Sequence, residues 1–521
     1  MTRMVLLVAL LLAAPAWAQP AGLAQLGNAN FDDIRRGVEA LATSGDPRAG
    51  PVLDALQAGR LLVQPGGALF IRGVDGTVVA ADTGAPATAE GARPVRVNNA
   101  VRRTLDAAMG GLRLFSPNPA TRADAAQAVF KSRDAAALPA LDRAIATEKD
   151  GSVLAQMQDA RAAAILASAN VDDAARLSAI TLLRGRGDLE ARAILASLPQ
   201  SSPAVAAAAA EGVAAIDWQL RLWGLAQGVF YGLSLGSVLL LAATGLAITF
   251  GVMGVINMAH GEMVMIGAYV TFVTQDAIRA NAPGLFGASL FIAIPLAFLV
   301  TGLLGILIER SLIRWLYGRP LETLLATFGL SLVLQQAVRS IFGPTNQEVG
   351  TPAWMSGAGK IGQLTVTYNR VAIIGFAMAV LFGLMAVLRY TPLGLRMRAV
   401  TQNRRMAAAM GIRTGGIDAL TFGLGSGVAG MAGVALSQID NVSPNLGQGY
   451  IIDSFMVVVF GGVGNLWGTA LGALTLGVVN KFLEPIAGAV LGKIVVLVLL
   501  ILFIQRRPRG MFPLKGRAVE T

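Results

Sequence analysis

The chain has 521 residues, of which 54% are hydrophobic and only 14% charged, against the ~25% charged residues of ordinary soluble domains. Its mean hydropathy is positive, which excludes a wholly soluble globular enzyme and a disordered chain and leaves a membrane protein with a soluble part. It has no Cys and one His, which removes disulfides, cysteine-ligated zinc, iron–sulfur clusters, cysteine nucleophiles and histidine-rich metal sites. The formal charge of +11 is unevenly spread: residues 19–222 carry 21 basic and 21 acidic residues, and residues 223–521 carry 20 and 10. The basic excess therefore lies in the hydrophobic half, in short clusters between apolar runs and without interleaved aromatics. That is the pattern of cytoplasmic loops and not of a nucleic-acid surface.

Residues 1–18 combine Arg3, an apolar run from Val5 to Ala14 and the sequence Ala16-Trp17-Ala18. This reads as a signal peptide, too short to span a bilayer, and the chain beyond it is expected outside the cytoplasm. Residues 19–222 are Ala-rich, with charges distributed throughout. Leu69–Ala80 alternates around Asp75-Gly76, a hairpin signal. From Arg122 onward the spacing predicts short amphipathic helices over 124–130, 135–146, 153–167, 172–184, 189–198 and 203–216. Their pairing at intervals of roughly 30–40 residues suggests a mainly helical domain, HEAT-like in its repeat. Its carboxylates alternate with Arg and no catalytic constellation is present, so a binding or docking role is expected.

Residues 223–521 contain nine apolar segments, at 225–249, 251–275, 285–308, 322–342, 371–389, 418–440, 450–466, 468–484 and 488–505. Backbone polar groups in lipid are satisfied only within helices or closed barrels, so these are expected to form a polytopic all-α membrane domain of about 8–10 helices, some discontinuous. With residue 222 outside, nine crossings place the carboxyl terminus inside. The inner loops then hold 14 basic residues and the outer ones 6, in keeping with the positive-inside rule and with the signal peptide. The expected location is the inner membrane, with a periplasmic amino-terminal domain.

Two apolar stretches are interrupted. Gly251–Glu262 (GVMGVINMAHGE) and Val459–Gly468 (VFGGVGNLWG) each place glycines and an Asn between apolar flanks. Unwound backbone at membrane depth is tolerated where it is buried by protein or meets a water-filled path, and transporters use such breaks to contact substrate. Asn257, His260, Glu262, Gly461, Gly462 and Asn465 are therefore candidate pathway residues. For His260 and Glu262 a boundary ion pair is the alternative, and for Asn257 a helix cap. Gln438, Asp440, Asn441 and Asn445 form a polar end to segment 418–440, either substrate-facing or a solvated outer loop. Gly425, Gly427, Gly430 and Gly433 fit close helix packing.

Residues 390–417 form an Arg-rich loop in which Leu395–Met410 is expected to make an amphipathic helix, suited to anionic lipid or to a soluble partner. No phosphate-binding loop is present: Gly357–Ile361 and Gly488–Ile494 lack the spacing and hydroxyl of GxxxxGK[ST]. The chain has no ATPase motif of its own, and no enzyme activity, cofactor or metal is expected.

The strings GVMGVINMAHGEMVMIGAYV (251–270), TPLGLRMRAVTQNRRMAAAMGI (391–412) and VVVFGGVGNLWGTALGALTLG (457–477) resemble the branched-chain amino acid type of ABC-transporter permease, over residues 223–517. By this resemblance the Arg-rich loop is similar to that family's coupling helix, with Met406–Gly411 at its degenerate EAA…G signature and without the Glu. Arg398, Arg404, Arg405, Met406 and Gly411 are then the expected ATPase-coupling residues. A long secreted domain before the permease, and RPLETLLATFGLSLVLQQAVRSIFGPTNQEVGTP (319–352), resemble the urea-transporting branch. The resemblance implies a periplasmic binding protein, a second homologous permease and separate ATPase subunits as partners. The expected function is a urea importer permease, with a branched-chain amino acid permease as the alternative. A helical-repeat receptor merely anchored in the membrane predicts no polar breaks. An intramembrane enzyme needs more than His260 and Glu262.

Overall fold

The computed structural model describes residues 22–512, except 45, 47, 74, 75, 170 and 199–201. The expected signal peptide lies outside the described residues. The chain divides into two compact units, one ending at Leu220 and the other beginning at Arg221.

The first unit opens with α1 (Leu23–Leu26), α2 (Phe31–Thr43) and α3 (Ala49–Gln57), then β1 (Leu61–Val63), β2 (Leu69–Arg72), β3 (Val78–Ala80) and β4 (Arg93–Pro94), then α4 (Asn99–Arg113). The expected hairpin is present, with Phe70 opposite Ala80 and Arg72 opposite Val78. It belongs to a four-stranded sheet of order β3-β2-β1-β4. Leu26, Val38, Leu53, Leu61 and Leu105 form a core between this sheet and its helices. There follow α5 (Pro119–Ser132), α6 (Leu138–Thr147), α7 (Gly151–Ala167), α8 (Asp173–Arg186) and α9 (Leu189–Ala196). Side-chain caps start several of them: Asn118 accepts from Ala120 N, and Asp150 accepts from Ser152 N and Val153 N, meeting amides that the first turn leaves unpaired. A second core gathers Phe130, Leu141, Met157, Ile180 and Ile194, with the Arg186 guanidinium 4.0 Å from the Phe130 ring centroid. Beside this core Arg122 grips Glu148 with two nitrogens, Nε to Oε2 at 2.6 Å and Nη2 to Oε1 at 2.8 Å.

The helix expected at 203–216 and the apolar segment at 225–249 are one element, α10 (Pro203–Met253). Asp217 and Arg221 lie between them without ending the helix, because no Pro interrupts it there and the turn's hydrogen bonds continue.

In the second unit α10 is followed by α11 (His260–Asn281), α12 (Ser289–Ser311), α13 (Pro320–Phe342), the two-stranded hairpin β5 (Ala358–Ile361) and β6 (Leu364–Thr367), and α14 (Tyr368–Tyr390). Then come α15 (Pro392–Gln402), α16 (Arg404–Ala409), α17 (Thr414–Leu436), α18 (Leu446–Gly461) and α19 (Leu466–Arg506). Among the described residues, six helical segments are long and apolar enough to cross a membrane. α19 is two arms: Pro485 lies inside it, and Gly488 takes φ 77°, ψ 164°. Both ends of this hairpin meet the same end of α18, since Gly468 abuts Gly461 and the Phe503 ring lies 4.9 Å from that of Phe460. The nine apolar segments thus each map onto a helix or a helical arm.

The second unit is apolar on its outside. On α12, Phe291, Leu299, Leu303 and Leu307 are exposed, whereas Ala293, Ala297, Thr301 and Gly305 are buried. Large apolar groups outward and small ones inward is the arrangement of helices packed in lipid. α17 sits at the centre, packed on α11 and α12. A Cβ added at Gly433 would lie 2.7 Å from Ala268 N, and one at Gly267 would lie 2.6 Å from Gly430 Cα. A second seam joins α10 to the first arm of α19: Gly228, Gly232 and Gly236, four residues apart, face Phe482, Val478 and Leu474, a small-xxx-small stripe.

Gly433→Leu should abolish accumulation of folded protein in membranes, since overpacking a filled site costs about 1–3 kcal/mol or more, whereas Gly415→Leu, in open space, should accumulate normally; immunoblotting of membrane fractions compares them. In the first unit, Arg122 holds the Glu148 carboxyl below its ordinary value of 4.5, at about 2. A depressed native value adds stability above the ordinary range and loses it as pH falls from about 4.5 through about 2. Glu148→Gln should therefore melt below the wild type at pH 6, with the gap closing across that window; equal melting at pH 6 would remove the bridge from the stability of this unit.

Candidate functional site

The first break lies between α10 and α11. The helix ends at Met253, Gly254 takes φ 70°, and residues 254–259 run without helix until His260. Asn257 is buried, and its Oδ1 accepts from Ala259 N at 3.0 Å. It closes a turn just before α11, whose own amino terminus has no side-chain cap. His260, also buried, places Nε2 2.9 Å from Ala242 O on α10, and its Nδ1 has no partner. The ring packs beside Gly245, where a Cβ would sit 2.9 Å from His260 Cε1. His260 thus ties α11 to α10.

Glu262, two residues on, faces the other way. It is 1% exposed. Its Oε1 accepts from Ser331 Oγ at 2.8 Å and from Gln335 Nε2 at 2.7 Å, and its Oε2 has no partner. Both donors stand on α13, where Thr323, Thr327, Ser331 and Gln335 are all buried and recur every fourth residue, so they line one face of the helix. Thr327 Oγ1 accepts from Met258 N at 3.1 Å and itself donates to Thr323 O at 2.8 Å. The broken backbone is therefore pinned to the same polar stripe. At the stripe's other end Gln335 Oε1 accepts from Gln448 Nε2 at 3.3 Å, and Arg339 Nη2 donates to Asn445 Oδ1 at 3.0 Å. Gln448 and Asn445 are exposed. A polar track thus leads from an open rim at the start of α18, through Gln335 and Ser331, to Glu262 and the first break. Sequence reasoning singled out Glu262 and Asn445 but passed over the α13 residues; the fourfold polar step inside an apolar segment was the available signal.

The second break, between α18 and α19, is a closed turn. Gly462 takes φ 103° and Gly464 φ 81°, conformations that suit glycine. Asn465 Oδ1 accepts from Trp467 N and Gly468 N, capping α19, and its Nδ2 donates to Phe512 O at 3.2 Å. Met511 N and Phe512 N donate to Phe460 O and Gly461 O, so residues 510–512 strap this turn. The last turn of α10 meets this second break: a Cβ on Gly251 would be 2.7 Å from Gly464 Cα. Gly461, Gly462 and Asn465 bond and pack within the second break and are not part of the Glu262 cluster. Gln438 and Asp440 lie at the end of α17. Gln438 is buried with its Oε1 unpartnered, and its backbone oxygen accepts from Asn369 Nδ2 at 3.3 Å.

The Arg-rich loop is two short helices rather than one. Thr391 caps α15, accepting from Gly394 N, and Pro392 opens it. Asn403 is extended (φ −154°, ψ 101°) and its Oδ1 accepts from Met406 N at 2.9 Å, starting α16. An Asn competes with the helix through such local bonds, which explains the interruption. Arg404 turns inward and pairs with Asp418 on α17, which has no exposed surface, and its guanidinium lies 4.5 Å from the Tyr317 ring centroid. Burial opposes its charge, and the Asp418 carboxylate more than offsets this, holding the guanidinium above its usual range. Arg398 donates to Leu388 O. Gly411 takes φ 83° and turns the chain toward α17. Arg405, Met406 and Met410 are left facing outward, Met410 being 78% exposed.

Arg404→Ala should therefore strand Asp418 and lower the melting temperature of the detergent-solubilised protein. The loss should stay below the ~3–5 kcal/mol of a fully buried pair, because Arg404 keeps 40% of its surface. Arg405→Ala should leave the melt unchanged; if the two variants melt alike, the inward pairing is not what orders the loop.

Comparison with known proteins bears on the second unit. The signature of the family described as "Branched-chain amino acid transport system / permease component" matches residues 228–504. The high-affinity branched-chain amino acid transport system permease protein BraD of Pseudomonas aeruginosa is 32% identical over 292 residues, 55% of this chain and 94% of BraD. The corresponding LivH of Escherichia coli K12 is 30% identical over 295 residues, 55% of this chain and 94% of LivH. A probable LivH of Methanocaldococcus jannaschii is 24% identical over 287 residues, 53% and 88% of the two chains. No solved structure matches the chain. With an apolar-outside helical unit, an interrupted pair of helices and a family signature over more than half its length, this chain belongs to the branched-chain amino acid family of ABC-importer permease components.

Proposed function

We propose that the second unit passes a small solute bearing amine or amide groups through the bacterial inner membrane, and that this solute is a branched-chain amino acid. The observation that carries the reading is the polar track from Gln448 through Gln335 and Ser331 to Glu262, set in a bundle whose outward faces are apolar. Buried polar groups in such a bundle are costly and mark solute paths. The similarity to BraD and LivH supports the amino acid class.

A second reading, urea, is favoured by the chemistry of the track. Among the described residues no Lys or Arg of the second unit is buried, so a solute carboxylate would find no cation inside and would depend on helix amino termini. Urea, which is neutral, needs only donors and acceptors such as Ser331, Gln335 and Gln448.

In either case energy is supplied by separate ATPase subunits that grip the outward face of α15 and α16 at Arg405, Met406 and Met410. A soluble binding protein and a second, homologous permease complete the transporter. The loop between α14 and α17 and the end of α19 lie on the cytoplasmic side by their basic residues, and the first unit lies in the periplasm.

Uptake of radiolabelled leucine and urea by cells lacking this chain checks the proposal. Loss of leucine uptake with urea uptake intact is expected. Loss of urea uptake alone supports the second reading, and wild-type uptake of both overturns the two together.

A further inference from the structure

Glu262 has a property that a path alone does not require. Its carboxylate is fixed on one oxygen by two donors from α13, Ser331 Oγ and Gln335 Nε2. Gln335 Nε2 also lies 3.3 Å from Ser331 Oγ, so the three side chains form one closed cluster. The second oxygen, Oε2, is buried and accepts nothing. A buried carboxylate oxygen without a donor is costly to keep.

Among the described residues no cation neutralises it. Their buried charged and polar side chains include no Lys or Arg, and the nearest arginine along the α13 stripe, Arg339, donates to Asn445 at the rim. The His260 ring is turned to Ala242 on α10. Gly261 and Gly447 bring the backbones of α11 and α18 together, and a Cβ on Gly447 would stand 3.0 Å from Glu262 N. Glu262 therefore sits where three elements converge: the first turn of α11, the polar stripe of α13 and the amino-terminal turn of α18. Gln335 joins it to Gln448 at the rim.

We propose that Glu262 is the recognition residue of the permease: its Oε2 accepts N–H groups from the passing solute, while Ser331 and Gln335 hold the carboxylate in place by its other oxygen. This rests on the solute path proposed for the second unit and deepens it. The chemistry shared by the eligible solutes is an N–H donor that reaches the carboxylate as an ammonium or as an amide. For recognition at Oε2, Ser331 and Gln335 are positioning residues, since both hold Oε1.

The test uses the whole transporter, permease with its ATPase and binding-protein partners, in proteoliposomes, with labelled leucine and urea as probes. With its carbonyl oxygen held by Ser331 and Gln335, Glu262→Gln turns an N–H donor toward the solute and loses the charge, so the KM for a transported solute should rise about tenfold or more, whether it brings an ammonium or an amide. Glu262→Leu, with neither charge nor acceptor, should raise it likewise. Ser331→Ala should raise KM in the same sense by a smaller factor. Unchanged KM for a transported solute in both Glu262 variants overturns the proposal while leaving the solute path standing.

A second measurement guards against variants that fail to fold. A hydrophobic carbodiimide, reacting with buried carboxyls of the wild-type complex, should label Glu262 more slowly when leucine or urea saturates the transporter, as read by peptide mass spectrometry. If the wild type carries neither probe, the proposed function falls, and protection by a panel of simple amines and amides then decides for Glu262. Labelling that no such compound slows overturns the assignment.

Discussion

In a bundle that turns apolar side chains outward, burial of hydrophobic surface no longer drives one helix onto another, and close backbone contact takes over that task. The second unit depends on this. Gly267, Gly430 and Gly433 let α11, α12 and α17 pass with almost nothing between their backbones, and Gly228, Gly232 and Gly236 do the same between α10 and α19. Dispersion between atoms at contact distance, and not hydration, holds these seams. Beside this rigid centre, Glu262 on α11 meets Ser331 and Gln335 on α13 through side-chain hydrogen bonds instead of a glycine seam.

The two units are built by different rules, as their compositions require. The first obeys the logic of water. Its helices carry charged outer faces, their amino termini are capped by Asn and Asp, and its ion pairs, such as Arg122 with Glu148, lie at the margin of an aliphatic core. In the second unit some ion pairs hold a carboxylate with little exposure, as Arg404 does Asp418 and Lys493 does Asp453 at 2.8 Å, while Arg319 with Glu322 and Lys481 with Glu484 lie at the surface.

Much of the membrane unit was legible in the sequence because lipid imposes a single solution on long apolar runs. The nine segments, both interruptions and the Arg-rich loop between α14 and α17 all correspond to observed elements. The boundaries failed where a local signal was overridden. The helix expected over 203–216 in fact runs from Pro203 to Met253, since the charges of Asp217 and Arg221 on a helical turn near the surface cost little. Asn403 is hidden as a cap because it sits among arginines whose spacing favours one long helix. In the first unit β1 and β4 were missed, being three and two residues long, shorter than any periodicity can reveal. At the candidate site Asn257, His260 and Glu262 stood out as polar residues in apolar surroundings, but their directions were not readable. Only the three-dimensional register sends His260 to α10 and Glu262 to α13, and gives Asn465 to the cap of α19.

The contact between the last turn of α10 and the second break has a mechanical consequence. Where Gly251 faces Gly464 no flexible group on either strand of chain can yield to absorb a displacement. A layer of leucines there would act as a cushion and let each interrupted segment shift by itself. Close-packed main chain has low compressibility, so a displacement of the end of α10 bears directly on the turn before α19.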